Sequence, residues 1–117
     1  MTIMVETVAP PEIGQLNLTF NLIANIQITS TKARRLVSVF VGNHIADLLH
    51  GEMPNLVVCL DGIYWRVPVI LSSLSLGRIG AVGTVDVDVE TGDLRVNEQI
   101  IKEIKQNARR FASSASL

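Results

Sequence analysis

From Gln15 to Thr29 apolar and polar side chains alternate. Leu16, Leu18, Phe20, Leu22, Ala24, Ile26 and Ile28 take the even positions, and the odd ones are polar except for Ile23. Period two marks a strand with one wet face, because a helix would scatter these side chains around its axis. Fifteen residues at ~3.3 Å each would span roughly 50 Å. A domain of this length has a radius of gyration near ~13 Å and measures roughly 35 Å across. The strand must therefore bend at a bulge near residues 21–25, or overhang its own subunit and pair with a second chain. Leu16, Leu18, Phe20 and Leu22 are then candidate oligomer contacts. Residues 1–13, which contain Pro10-Pro11, read as an arm outside the domain.

The period changes after Thr29. Ser30 or Thr31 can cap a helix that starts near Lys32 and runs to about Leu49, with Gly51 as its stop. Leu36, Val37, Phe40, Val41, Ile45 and Leu48 fall on one half of that helix, with His44 in their midst. Val39 and Leu49 lie outside that half. A helix apolar on more than one side is covered twice, by its own sheet and by something else, so Val39 and Leu49 join the candidate interface.

Alternation returns beyond Met53-Pro54-Asn55. Leu56–Leu60 and Tyr64–Leu71 read as strands joined at Asp61-Gly62, a hairpin signal. Trp65, Val67, Val69 and Leu71 share one face; Tyr64, Arg66, Pro68 and Ile70 share the other. Pro68 cannot donate to a ladder and demands an edge or a bulge. Residues 72–78 read as a loop. Ile79–Val89 alternates again and meets a turn at Glu90-Thr91-Gly92-Asp93, with Gly92 supplying a positive φ. Leu94–Val96 returns briefly. Asn97 caps a last helix with the stripe Ile100, Ile101, Ile104, Ala108 and Phe111, and residues 113–117 fray. No helix separates the later strands, so they pair antiparallel. The fold class is α+β: one domain over residues 14–112, with a curved antiparallel sheet packed on a long helix and a C-terminal amphipathic helix.

Composition sharpens this picture. Ile, Val and Leu make up 39 of 117 residues, charged residues 18%, and mean hydropathy is +0.37. So small a domain has a large surface for its volume, and this apolar excess implies that another chain covers part of it. No run approaches the ~20 apolar residues of a membrane span. No secretory leader is visible at the start, and Cys59 is the lone cysteine, so a cytoplasmic protein is expected. With a net charge of −1 there is no basic excess of the kind nucleic-acid binders show.

Candidate chemistry is sparse. His44, Asp47 and His50 lack converging zinc-ligand spacing, and His44 reads as a buried or interfacial side chain whose ring finds Asp47, a carbonyl or a partner chain. Asp86, Asp88 and Glu90 lack the sixth-position Gly and twelfth-position Glu of a calcium loop and read as a solvated acidic strand face. Gly77, Gly80 and Gly83 lead into a valine-rich strand, not into the helix a phosphate cradle requires. Cys59 has no basic neighbour in sequence to activate it. Lys32, Arg34 and Arg35 cluster at the start of the first helix, where cations oppose its dipole; an acidic strand face or an external anion would offset that. No metal, cofactor or catalytic residue is assigned. His44, Asp47, Trp65, Arg66 and Arg78 are candidate ligand or partner contacts.

Ala33-Arg34-Arg35, the run Gly51-Glu52-Met53-Pro54-Asn55-Leu56-Val57-Val58, Trp65-Arg66-Val67-Pro68-Val69 and the stretch from Gly80 to Gly92 together form a pattern. In it the chain resembles, from Ala33 to about Ala108, a family of small uncharacterised bacterial proteins. Val87-Asp88-Val89-Glu90-Thr91-Gly92 is similar to the closing hairpin of PepSY-type domains, which are non-catalytic antiparallel sheets packed on helices. Some members of the small family look like partners of PIN-domain toxin nucleases, which implies an antitoxin-like role with a toxin-like protein partner. Two function classes follow. One is a non-enzymatic, homo-oligomeric interaction protein. The other is a small-ligand-binding or enzymatic domain whose site forms at a subunit interface around His44, Trp65 and Arg78.

Overall fold

Trp65, Val67, Val69 and Leu71 lie on one face of a single strand and are each at most 4% exposed. That strand organises the computed structural model, which describes residues 3–6, 12–17, 19 and 21–115. In chain order the elements are β1 (Ile3–Glu6), α1 (Ser30–His44), β2 (Leu49–Gly51), β3 (Asn55–Cys59), β4 (Gly62–Ser73), β5 (Gly77–Asp88), β6 (Leu94–Arg95) and α2 (Glu98–Ser114). The class is α+β as the pattern predicts. Six strands form one sheet in the order β1-β3-β4-β5-β6, with β2 also on β4. All pairs are antiparallel except β1 with β3.

One edge of β4 pairs with β5; the other pairs with β3 up to Arg66 and with β2 from Val69. Pro68 sits where the second edge changes partner. Its carbonyl accepts from Glu52 N at 2.9 Å, and its missing N–H falls at the break between β3 and β2. A proline in a central strand is tolerated there because no partner strand asks for that donor. Register shifts between Val69 and Ile70 and between Leu71 and Ser72 add the irregularity foreseen for this strand.

α1 begins one residue earlier than its candidate caps suggest. Thr29 is the N-cap, and its Oγ1 accepts from Lys32 N at 3.0 Å. Ala33, Val37 and Val41, spaced four apart, form the buried stripe. They share one core with Trp65, Val67, Val69, Leu71, Val85 and Val87. The helix stops at His44, not Leu49: Ile45 N and Ala46 N both reach Val41 O, at 3.0 Å each. Leu49–Gly51 then pairs with Val69–Leu71. Leu49 is thus corrected from an oligomer contact to a core residue, 3% exposed. Val39 does face outward.

The strand expected over residues 15–29 is a second correction. Among the described residues of that stretch none belongs to a strand; Leu18 and Phe20 lie outside the described residues. Both edges of β4 are occupied, β3 is taken by β1, and β6 and α2 lie against β5. Among its described residues the alternating segment joins no ladder of this sheet. Near its end Asn25 N approaches Glu90 Oε1, Gln27 N and Ile28 N donate to Val89 O, and Trp65 Nε1 donates to Ile28 O at 2.7 Å.

The remaining differences are small. The 72–78 loop shrinks to residues 74–76 with Gly77 at φ +71°. Residues 3–6 of the arm add a strand to the sheet. α2 continues through Ser114 where fraying was expected. Its cap is the foreseen Asn97, whose Oδ1 accepts from Ile100 N at 2.8 Å. Beyond β6, α2 lies along β5: Ile104 packs on Gly83, Phe111 on Gly80, and Asn107 Nδ2 donates to Val82 O at 2.9 Å.

Gly51 is where α1 and the sheet approach most closely. A Cβ there would meet Val67 Cγ1 at 2.8 Å and the Arg34 carbonyl at 3.1 Å. Gly42, inside α1, has nothing nearer than Leu49 O at 3.8 Å. Gly51→Ala should therefore destabilise by about 1–3 kcal/mol through overpacking. Gly42→Ala should stabilise by about 0.5–1 kcal/mol through helix propensity. Urea unfolding of the two variants checks the opposite signs.

Candidate functional site

Arg66 and Asp86 are direct cross-strand partners between β4 and β5. The guanidinium donates from Nε and Nη2 to Asp86, at 2.9 Å each, and from Nη1 and Nη2 to Glu6 of β1. One arginine thereby spans the sheet from β5 to its outer strand. Two carboxylates saturate its fork, a strong planar geometry, and no free donor pair remains for a ligand. Both partners hold Arg66 firmly in its charged form.

Arg66 lies in the wall of a groove of about 750 Å³, together with Glu6, Cys59, Asp86, Arg95 and Glu103. Two of the groups in its wall, Glu6 and Cys59, are shifted away from neutral-pH chemistry. Hydrogen bonding to Arg66 holds the Glu6 carboxyl below its usual range. Burial, and then the charge of Glu6, push the Cys59 thiol up, and Cys59 Sγ donates to Glu6 Oε2 at 3.8 Å. Efficient acid–base or thiolate catalysis needs shifts toward neutrality; these run the other way. Arg95 stacks over the Tyr64 ring, 4.5 Å from its centroid, and bridges to Asp61 at 3.0 Å.

The other candidate residues are dispersed. Trp65 is buried, and its one donor is taken by Ile28 O, so it is corrected from a ligand contact to a core residue. His44 is exposed, not buried; its ring stacks on Phe40 with centroids 4.7 Å apart, and Nδ1 lies 3.1 Å from Phe40 O. Its partner is a carbonyl of its own helix. Asp47 is exposed in the turn that follows. Arg78 pairs with Glu52 at 2.9 and 3.3 Å. The cavities walled by Arg66, by Ile63 and by Arg34 are not lined by His44, Trp65 or Arg78. Among the described residues no group of three or more His, Cys, Asp or Glu side chains is placed to hold a metal ion.

The acidic strand face also has structural employment. Asp86 serves Arg66. Asp88 Oδ1 accepts from Glu90 N and Thr91 N at 2.8 and 3.1 Å and shapes the turn in which Gly92 adopts φ +82°. Glu90 Oε1 lies 3.4 Å from Asn25 N. Counting outward from a hairpin centred on residues 74–76 would place Thr84 opposite Arg66; the two register shifts in β4 and β5 bring Asp86 there instead, so the pairing is not readable from spacing.

What is left outside the core is apolar. Ile13 is 94% and Ile23 88% exposed, and Leu16, Leu22 and Ile26 are each about half exposed. Ile3, Met4 and Val5 of the outer strand β1 are exposed as well. Among the described residues no helix is long and apolar enough to cross a membrane. Comparison with known proteins finds no matching family model, curated protein or solved structure.

Glu6 and Glu52 both ionise more readily in the folded chain than their ordinary values allow, the first through hydrogen bonding to Arg66 and the second to Arg78. Their stabilisation is fully present above the ordinary carboxyl value of about 4.3 and is lost as pH falls through the lowered folded values. Both side chains are more than a third exposed, so the loss is modest. The fall in urea midpoint below about pH 4.3 should be shallower in Glu6→Gln/Glu52→Gln than in the wild type. Parallel slopes would show that neither ion pair contributes.

Proposed function

We propose that the chain is a non-enzymatic interaction protein that assembles with a second copy of itself through residues 12–27. One observation carries this reading: among its described residues, the segment with the strongest strand pattern in the sequence joins no ladder and exposes Leu16, Leu22, Ile23 and Ile26. Unpaired backbone beside an apolar stripe is the standing invitation to strand pairing between chains. A second copy supplies an identical unpaired segment, and a twofold axis lets each satisfy the other. The apolar outer strand β1 extends the surface available for this. The saturated Arg66 and the inactivated Cys59 thiol support a non-enzymatic role. A cytoplasmic setting goes with the free thiol of Cys59.

Light scattering at micromolar concentration should give at least twice the chain mass of 12.8 kDa. Leu22→Asp introduces its charge twice in a twofold dimer. At about 1.5–3 kcal/mol per buried leucine the dissociation constant should rise at least ~100-fold. Far-UV circular dichroism should stay unchanged, since Leu22 lies outside the core. A wild type that runs as a clean monomer would sink the proposal.

A further inference from the structure

Arg34 and Arg35 of α1 line a cavity of about 330 Å³ with Thr31, Ser38, His50 and Gly51. Every side chain around it can donate a hydrogen bond, and no carboxylate lines it. The cavity exists because β2 approaches α1 closely: Gly51 N donates to Ser38 Oγ at 2.8 Å, and Gly51 has no Cβ to fill the gap.

The arginines here differ from those of the strands. Arg66, Arg78 and Arg95 each hold a carboxylate, whereas none of the four ion pairs among the described residues includes Lys32, Arg34 or Arg35. The internal anions that could have answered them are engaged elsewhere. Asp86 is on Arg66, Asp88 caps its turn, and Glu52, two residues beyond His50 and near enough to feel its charge, is hydrogen-bonded to Arg78. α1 has no acidic residue in its first turn, while α2 has Glu98 there. The cationic cluster therefore opposes its own helix dipole, and no ion pair among the described residues offsets it.

We propose that this cavity binds a phosphoryl oxyanion, carried by a small phosphorylated molecule. Two guanidinium forks, an imidazole and two hydroxyls suit a compact group with three or more acceptor oxygens, and planar forks favour bidentate phosphate contacts. The site does not depend on the backbone of the helix N-terminus, whose donor at Lys32 is already taken by Thr29. Nor does it depend on self-association, since it shares no residue with segment 12–27.

The full-length protein is titrated calorimetrically with inorganic phosphate and, separately, with glycerol phosphate, at constant ionic strength in chloride. Saturable binding of one phosphate per chain is the expected result. Arg34→Gln/Arg35→Gln removes charged hydrogen bonds and should weaken it about tenfold or more. Lys102→Gln/Lys105→Gln on exposed positions of α2 removes the same charge elsewhere and should leave affinity within about twofold. Tighter binding of glycerol phosphate identifies a phosphomonoester as the ligand class; equal binding identifies free phosphate. Absence of saturation at millimolar phosphate overturns the proposal. So does equal weakening in both double variants, or binding that survives loss of both arginines. A single-stranded oligonucleotide bound more tightly than the monoester in proportion to its length overturns the small-molecule assignment.

Discussion

The backbone of β4 is hydrogen-bonded along both edges, to β5 on one side and to β3 and then β2 on the other, which leaves its side chains to hold the molecule together across the sheet. Trp65, Val67, Val69 and Leu71 meet α1, while Arg66 on the opposite face ties β1 to β5. Much else in the fold follows from satisfying this strand. Helix α1 ends early because Leu49–Gly51 completes the β4 edge that β3 leaves open. Pro68 is tolerated because it falls at the change of partner. The chain before α1 is fixed at Ile28 because Trp65 needs an acceptor for its buried indole N–H, and an unsatisfied donor there would be costly.

The same saturation explains the exposed apolar segment. A strand needs an edge, and the sheet offers little: α2 lies along β5 beyond β6, with Asn107 on the Val82 carbonyl, and β3 is covered by β1. β1 itself is a short parallel strand, a slightly weaker pairing than an antiparallel one, and the ion pair from Glu6 to Arg66 reinforces it. The described residues of 12–27 thus stay outside the sheet, whose ladder is occupied by other strands. Their apolar content is left facing outward, not drawn into the core, and this is what points the functional reading toward a second chain.

Much of this architecture was legible in local pattern. The valine alternation of β5, the paired faces of β4, the Asn97 cap and the turn at Gly92 each depend on residues within a few positions of one another, and each was readable. The misreadings share one physical cause, which is competition between local pattern and distant partners. Leu48 and Leu49 continue the helical period, but the open edge of β4 takes Leu49 into a strand. Residues 15–29 carry a strand pattern but meet no free edge. Residues 3–6 are too few to announce a strand and become one only beside β3. Among the site residues, Trp65 and Arg66 stood out by type, but their partners Ile28, Glu6 and Asp86 lie 20 to 60 positions away and depend on register. No composition or spacing signal marks them.

The charges are divided in the same way as the apolar surface. The chain has ten cations and eleven acids, close to neutral in sum, but their placement is uneven. Strand arginines are matched within the fold. The cations of α2, from Lys102 to Arg110, follow Glu98 along the helix in the order its dipole favours. Those at the start of α1 stand in the unfavourable order, without a carboxylate among the described ion pairs. Folding alone gives no reason for such an arrangement, because acidic residues at the same positions would stabilise the helix. The two proposals therefore rest on features of different chemistry on different segments: an exposed apolar stripe before α1 and a donor-lined cavity beside it. Neither uses the groove around Arg66, where two carboxylates already engage the guanidinium.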